Sequence, residues 1–193
     1  MKSIVSAVFG LTLILANAGH AKADTYPQLV ARLGSAGAFQ PTVEQLLLAK
    51  LNAFRASKGL PRLAADGNFA RAARAHANDM ARRNYLGHDS SNGLDFSGRM
   101  NALQGGQMQF STMGENAVMM YPPKSATYIA DTMFKSWLNS SPHLQNMMRR
   151  DFTRVATGAV VMGGKAYADQ IFIGAPKPRQ ALSRSGQSLV VWH

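Results

Sequence analysis

The feature that most constrains the fold is a pair of apolar runs on either side of two glycines near the end of the chain. Residues 155–162 and 166–173 are rich in Val, Ile, Phe and Tyr, and Gly163-Gly164 separates them. Glycine readily adopts the positive φ angles that a tight hairpin turn needs, while β-branched and aromatic residues favour strands. The pattern therefore predicts an antiparallel β-hairpin in the last folded part of the chain.

Two amphipathic segments with helical spacing of their apolar residues precede this hairpin. The first is predicted to begin after Thr42, a candidate N-cap, and to stop at Gly59. The second covers residues 68–84, where apolar side chains form a stripe and most arginines fall elsewhere. His76 lies in this stripe, and a histidine on an alanine-rich face usually packs there and makes one hydrogen bond. We therefore expect His76 to belong to the core.

The middle of the chain is more loop-rich. Residues 89–114 are rich in Ser, Asn and Gly and are expected to be mostly loop, with a short helix at residues 95–103. A further helix is predicted after Ser125, a candidate N-cap, and it is expected to end at the break formed by Ser140-Ser141-Pro142. Helices combined with antiparallel strands predict an α+β domain, with helices packed on a small sheet.

The first 23 residues have the pattern of an export signal. Lys2 gives a positive start, a short apolar run follows, and Ala21-Lys22-Ala23 offers small residues for cleavage before Asp24. We expect a secreted or periplasmic protein that begins at Asp24 after cleavage. An uncleaved N-terminal anchor is the alternative, although no later stretch of sequence is long and apolar enough for a second span.

About 170 residues remain after cleavage, which suits one domain with a single core. We expect residues 24–40 to form a leader segment, residues 41–175 the folded domain and residues 176–193 a basic, disordered tail. The chain has no cysteine. The fold must therefore be held by packing rather than by disulfides, and cysteine catalysis and thiolate metal sites are excluded.

The sequence is strongly basic, with a formal net charge of +11. Basic residues lie in two groups, which are Arg71, Arg74, Arg82 and Arg83 in the second helix and Lys177, Arg179 and Arg184 in the tail. An excess of positive charge favours anionic partners. No nucleic-acid-binding motif accompanies the charge, so we expect an anionic envelope polymer or lipid, with peripheral membrane contact, rather than nucleic acid. A solvated basic face that aids solubility is the alternative.

Three residues with functional chemistry stand beside turn-forming residues: His88, Glu115 and His143. Two imidazoles and a carboxylate can ligate a divalent metal, relay protons or cap buried backbone groups. Each also has a purely structural interpretation. Glu115 could accept hydrogen bonds from backbone donors, His143 could cap the break after Pro142, and His88 could order the Ser-rich loop.

Several short motifs, taken in their order and spacing, resemble the CAP superfamily, the secreted SCP-like domain in its bacterial form. The resemblance covers about residues 46–175. Its carriers are Leu51-Asn52-Ala53-Phe54-Arg55, Gly59-Leu60-Pro61-Arg62-Leu63, Ala75-His76-Ala77-Asn78-Asp79-Met80-Ala81, Gly87-His88-Asp89-Ser90, Gly114-Glu115-Asn116, Trp137-Leu138-Asn139-Ser140 with His143 and Asn146, and Asp169-Gln170-Ile171-Phe172. The resemblance implies an α-β-α sandwich, with helices packed on both sides of a small antiparallel sheet.

The resemblance also implies a cleft that holds a tetrad of two histidines and two acids. His88, Glu115 and His143 match three of these positions, and we expect them to converge in one solvent-accessible cleft. The second acid of many eukaryotic members stands three residues after the tryptophan, where this sequence has Ser140. This departure weakens any two-carboxylate mechanism of general acid and base catalysis.

Other residues of these motifs are expected to be structural. Asn116 and Asn146 are candidates for turns and caps, Trp137 for the core, and Gln170 for the sheet edge. We expect none of these four residues to be catalytic.

The leading hypothesis is an exported CAP-domain protein that binds a lipid or another envelope component around His88, Glu115 and His143. His88 and His143 could also hold zinc or another divalent metal. The rival is a metal-dependent hydrolase or peptidase in which Glu115 moves the proton, with the two histidines as further catalytic candidates. The zinc protease signature His-Glu-x-x-His and the Gly-x-Ser-x-Gly elbow are absent from the sequence. A third hypothesis is an extracellular interaction module that uses its basic face.

Overall fold

The computed structural model describes residues 24–34, 38–107 and 109–177. Within these residues it contains six helices and a four-stranded sheet, which confirms the predicted α+β class. The helices are α1 (Tyr26–Leu33), α2 (Pro41–Ser57), α3 (Gly67–Arg83), α4 (Phe96–Leu103), α5 (Ala126–Leu138) and α6 (Ser141–Met148). The strands are β1 (Ala64–Ala65), β2 (Met113–Met120), β3 (Phe152–Met162) and β4 (Lys165–Gly174).

The sheet has the strand order β1-β3-β4-β2. The predicted hairpin is confirmed, since β3 and β4 pair antiparallel and the turn residues Gly163 and Gly164 have φ angles of 58° and 73°. Strand β2 pairs antiparallel with the other side of β4. The sheet is mixed rather than wholly antiparallel, because the two-residue strand β1 runs parallel to β3.

Helices cover both faces of the sheet, as the α-β-α arrangement requires. On one face, α2, α5 and α6 pack against the strands through a core that includes Leu47, Trp137 and Phe172. On the other face, α1, α3 and α4 pack through smaller residues such as Ala72 and Ala73 together with Ile171. The expected positions of Trp137 and His76 in the core are confirmed, with exposures of 0% and 1%.

Helix α3 lies unusually close to the sheet at Gly158 of β3. A Cβ atom at this position would stand 2.2 Å from the backbone nitrogen of Arg74. Because real Cβ atoms do not approach backbone so closely, only glycine lets the helix rest directly on the strand.

Three prolines start helices in this fold. Pro27, Pro41 and Pro142 each occupy the first or second position of α1, α2 and α6. A backbone N–H has no helical partner at these positions, so proline loses nothing there and its fixed φ angle suits the helix. A helix, α1, thus begins within residues 24–40 although that segment has little sequence periodicity. Likewise, α6 begins at the break predicted after α5.

Local capping follows the sequence prediction in one helix and departs from it in another. Ser125 caps α5, where its hydroxyl accepts a hydrogen bond from the backbone nitrogen of Tyr128 at 3.2 Å. The prediction for Thr42 is wrong, because α2 begins at Pro41 and its N-cap is Gln40. The short helix predicted at residues 95–103 is confirmed as α4.

Gln170 does not lie at the sheet edge, and that prediction is wrong. Strand β4 is an interior strand, and Gln170 is 0% exposed with its amide nitrogen 3.3 Å from the Thr157 hydroxyl. The edges of the sheet are β1 and β2. The sequence pattern did not reveal β2, which makes β4 central.

The predicted export signal at residues 1–23 lies outside the described residues, as do residues 178–193 of the predicted tail. At the start of that tail, the backbone nitrogen of Lys177 donates to the carbonyl of Gln109 at 2.8 Å. Among the described residues, none of the helices has the length and apolar character needed to cross a bilayer.

Candidate functional site

The site is built around the edge strand β2, whose neighbouring residues point to opposite faces of the sheet. Glu115 pairs with Ile171 of β4 and points to the face covered by α1, α3 and α4. Asn116, the next residue, points to the other face, where its side chain reaches α6. One short segment of strand therefore contacts elements from both layers of helices.

His88 lies in the loop that follows α3 and bonds directly to Glu115. Its Nδ1 donates to Oε2 of Glu115 at 2.8 Å, and its side chain is 54% exposed while that of Glu115 is 2% exposed. This bond uses the inner ring nitrogen and leaves Nε2 of His88 for a ligand. The hydrogen bond to Glu115 raises the pKa of His88 above its ordinary value, so the bond favours the imidazolium form.

Arg99 of α4 holds the second oxygen of Glu115 from inside the protein. The guanidinium is 0% exposed, and its Nη2 donates to Oε1 of Glu115 at 2.6 Å and to the backbone carbonyl of His88 at 2.8 Å. Its Nη1 donates to the Tyr26 hydroxyl of α1 at 3.3 Å. Arg99 therefore connects the His88 loop, the strand carboxylate and the first helix.

These partners keep Glu115 charged although it is buried. Burial alone would raise the pKa of Glu115, but the hydrogen bond from His88 and the charge of Arg99 outweigh burial and lower it. Burial raises the pKa of Tyr26 to about 12, so its hydroxyl stays neutral. Both oxygens of the Glu115 carboxylate are engaged by cationic or hydrogen-bonding side chains.

His143 lies in the first turn of α6, and two asparagines fix that helix against β2. The side-chain nitrogen of Asn116 donates to the carbonyl of His143 at 3.1 Å. The side-chain nitrogen of Asn146 donates to the carbonyl of Glu115 at 3.0 Å and to the Asn116 side-chain oxygen at 2.9 Å. These amides clamp a helix to a strand, which is a different role from the turns and caps predicted for them.

The two imidazoles have opposite electrostatic tendencies. Burial lowers the pKa of His143, and the charge of His88 lowers it further, so His143 favours the neutral form. Nδ1 of His143 is buried and has no hydrogen-bond partner among the described residues. The site thus offers a cation-favouring donor beside a neutral ring.

His88, Glu115 and His143 offer fewer free ligand atoms than a metal site ordinarily has. The described part of the chain contains no group of three or more His, Cys, Asp or Glu side chains arranged to hold a metal ion. Both Glu115 oxygens and Nδ1 of His88 already have partners, so Nε2 of His88 and the ring nitrogens of His143 remain as donors of this site for an ion. A structural or catalytic zinc site ordinarily has at least three protein ligands.

The structure joins His88 to Glu115 and places His143 on the adjoining helix turn. Ser140, which stands where the family resemblance places a second acid, is the N-cap of α6. Sequence reasoning missed Tyr26 and Arg99. Neither belongs to a motif quoted above, and their role depends on Glu115, which is distant in sequence.

The predicted basic face on α3 is partly neutralised by neighbours. Arg74 forms an ion pair with Glu44 at 2.6 Å, and Arg83 lies 3.6 Å from Asp79. Arg82 donates to the side-chain oxygen of Asn78 at 3.1 Å. Arg71 is exposed. The face therefore presents less unpaired charge than the sequence alone suggests.

Comparison with known proteins gives the site its family context. The model of the "CAP: Cysteine-rich secretory protein family" matches residues 48–174. The protein YkwD of Bacillus subtilis, described as uncharacterised, is 28% identical over 140 residues, which are 72% of this chain and 49% of YkwD. This chain therefore spans about half the length of that relative.

Solved structures share the fold. An extracellular protein from Bacillus anthracis that contains an SCP domain is 29% identical with a TM-score of 0.54, over 68% of this chain and 40% of that one. An outer surface protein from Borrelia burgdorferi has a TM-score of 0.58 at 15% identity, over 74% of this chain and 100% of that one. The latter similarity shows the fold alone.

Proposed function

The chain belongs to the CAP family of cysteine-rich secretory proteins, and from this premise we propose that it is an exported binding domain for an envelope component. The ligand group would be an anionic phosphate or carboxylate, held between Nε2 of His88 and Nε2 of His143. The proposal concerns binding at this site and assigns no reaction to the domain.

The observation that carries the proposal is the bond between His88 and the buried carboxylate of Glu115 at 2.8 Å. This bond fixes the ring orientation, directs Nε2 away from Glu115 and raises the pKa of His88. An imidazolium that presents an N–H to solvent is a good donor to an anionic oxygen. The neutral ring of His143 then adds a second polar contact without repelling His88 strongly.

The same geometry favours binding over hydrolysis. A general base must reach the proton that it removes, directly or through one water. The Glu115 side chain is 2% exposed, and its two oxygens are bonded to His88 and Arg99. Glu115 therefore serves better as an orienting group for His88 than as the proton carrier of a hydrolase.

A divalent metal would be held by His88 and His143, with water filling the other positions. Zinc bound there would supply a Lewis acid. Because the protein offers two imidazoles and the proton competes for His88, we propose a modest affinity. Metal binding is thus compatible with the donor set but is secondary to anion binding.

Location outside the cytoplasm is the second part of the proposal. The Bacillus anthracis protein with an SCP domain, which is 29% identical to this chain, is described as extracellular. The sequence at residues 1–23 has the pattern of an export signal that ends at Ala23. Intact-mass measurement of the exported protein tests this: a mass that begins at Asp24 supports cleavage, and one that retains Met1 contradicts it.

The binding test compares the parent with His88→Ala, His143→Ala and the surface control Arg71→Ala. Calorimetry with inorganic phosphate probes the anionic group, and vesicles with and without phosphatidylglycerol test whether a lipid headgroup supplies it. We expect both histidine variants to lose most phosphate binding while Arg71→Ala retains it. Loss confined to Arg71→Ala would contradict the proposal and favour an interaction through the basic face.

A further inference from the structure

Asp169 is a buried acid that takes no part in the hydrogen bonds of His88, Arg99 and His143. It lies in the middle of β4 and is 0% exposed. Its partner on β2 is Ala117, whereas Glu115 pairs with Ile171. Residues two apart on a strand point to the same face, so Asp169 and Glu115 are diagonal neighbours on the face that α3 covers.

Small residues flank Asp169 on the neighbouring strands, and the close packing of α3 on the sheet excludes solvent from its side chain. Its partner on β3 is Gly158, and the backbone of α3 rests directly on that glycine. On the other side stands Ala117, which is 6% exposed. A carboxyl group enclosed in this way must find its hydrogen-bond partner within the protein.

Glu115 is the candidate for that partner, because it is the diagonal neighbour of Asp169 on the same face of the sheet. No N–H or O–H donor from the described residues reaches either oxygen of Asp169. The two side chains lie close enough for the charge of Glu115 to raise the pKa of Asp169. Two carboxyl groups can share a hydrogen bond only if one of them carries a proton, because two carboxylates would repel each other.

The surroundings decide which acid carries the proton. Burial raises the pKa of Asp169 well above its usual range, and the charge of Glu115 raises it further while Arg99 opposes both. Glu115 has its own bonds from His88 and Arg99, which favour its charged form. A fully buried carboxyl group that no donor reaches favours its neutral form, so the proton is expected on Asp169 and the negative charge on Glu115.

We propose that Asp169 is a positioning residue whose protonated carboxyl group donates a hydrogen bond to Glu115. Asp169 thus supplies from β4, beneath the site, the second acid that is missing at Ser140. Glu115 then has three partners, His88, Arg99 and Asp169, and its carboxylate cannot turn away from His88. The effect on ligand binding rests on the function proposed above, whereas the shared proton does not.

The shared proton can be measured without any ligand. Carbon-13 NMR of the Asp side-chain carboxyl groups distinguishes the protonated from the ionised form, and Asp169→Asn assigns the Asp169 signal. We expect Asp169 in the folded parent to remain protonated at pH 7, where an ordinary aspartic acid with a pKa of about 3.9 is ionised. An ionised Asp169 at pH 7 would overturn the proposal.

The positioning role is tested with a matched pair of substitutions and inorganic phosphate as the probe. Asp169→Asn keeps the shape and an N–H donor, so we expect phosphate affinity within about twofold of the parent. Asp169→Leu keeps the volume but removes the donor, and we expect an affinity loss of about tenfold. Thermal unfolding of both variants shows whether they fold.

The outcomes separate this proposal from the function on which it rests. Equal phosphate affinity in the parent and a folded Asp169→Leu would refute positioning even if the shared proton is found. A loss in Asp169→Asn as large as in Asp169→Leu would also refute it, because the donor would then be irrelevant. If the parent binds no phosphate, the proposed function fails, and the NMR result still decides whether the carboxyl pair exists.

Discussion

Arg55 and Arg99 are both fully buried, yet they meet their surroundings in different ways. Arg55 of α2 donates to three backbone carbonyls, those of Pro61, Met147 and Arg149, at 2.8, 2.8 and 2.9 Å. Arg99 of α4 is bonded to the carboxylate of Glu115 at 2.6 Å. The guanidinium of Arg55 is thus hydrogen-bonded to neutral carbonyl groups, whereas that of Arg99 is paired with a negatively charged carboxylate.

The electrostatic consequences are opposite. Burial lowers the pKa of Arg55, and the charge of Arg150 lowers it further. Burial also disfavours the charged form of Arg99, but its acidic neighbours, with Glu115 first among them, together outweigh burial and raise the pKa of Arg99. Arg55 thus acts as a clamp on the end of α6, where helix carbonyls lack partners. Arg99 instead neutralises the group that orients His88.

The largest expected effect is that of Arg99→Leu. This substitution leaves Glu115 buried without its cationic partner, so we expect the free energy of unfolding to fall by about 4 kcal/mol at pH 7. Urea denaturation measures the loss. Without Arg99, the pKa of Glu115 in the folded state should rise above its unfolded value, and the penalty should shrink as pH falls toward about 4.3. A loss that is the same at pH 4 and pH 7 would contradict this account.

Arg55→Leu is the matched substitution on the other side of the comparison. It leaves carbonyls of Pro61, Met147 and Arg149 without their donor, and we expect a loss of about 3 kcal/mol. Because carbonyls do not titrate, the loss should be equal at pH 5 and pH 8. Urea denaturation at these two pH values checks it, and a strongly pH-dependent loss would remove the distinction between the two arginines.

Glu115→Gln should have a smaller effect on the site. Glutamine keeps the shape and an oxygen for Arg99 but carries no charge, so we expect the pKa of His88 to fall toward the ordinary histidine value. Proton NMR of the imidazole measures it. Glu44→Gln is the control, since Glu44 is a carboxylate paired with Arg74. An equal shift of the His88 pKa in both variants would show that the Glu115 contact is not its cause.

Zinc binding should show the smallest effect, because its affinity is modest from the outset. Both imidazoles must be neutral to ligate, and the Glu115 bond raises the pKa of His88, so affinity should already decline as pH falls from 8 to 7. Calorimetry with zinc at these pH values tests this, with His143→Ala expected to lose most of the affinity. A variant that binds as tightly as the parent would show that His143 is not a ligand.

The sequence predicted those parts of the fold that depend on local pattern. Gly163-Gly164 between two apolar runs predicted the hairpin, and Ser125 predicted the start of α5. Pro142 in the sequence indicates a break after α5, but proline is equally suited to the first turn of a helix, and only the structure shows that α6 begins there. Local pattern does not decide between these two roles.

The site was predictable only in part, for a related reason. His88, Glu115 and His143 could be found because short motifs surround them. The role of Arg99 depends on its contacts with Glu115, which lies 16 residues away in sequence, and with Tyr26, which lies 73 residues away. Local sequence pattern does not reveal such contacts. Asp169 did carry a signal, since an acid in a strand of apolar residues must have a partner when that strand is buried.

The most direct test of the account is an NMR titration of the histidine rings in the folded protein. Glu115, kept charged by Arg99, should make His88 titrate above the ordinary histidine value of about 6.5. Burial should make His143 titrate below that value. His88→Ala and His143→Ala assign the signals. If both rings titrate together near 6.5, or if His143 titrates above His88, the buried carboxylate does not set the charge of the site and the account is contradicted.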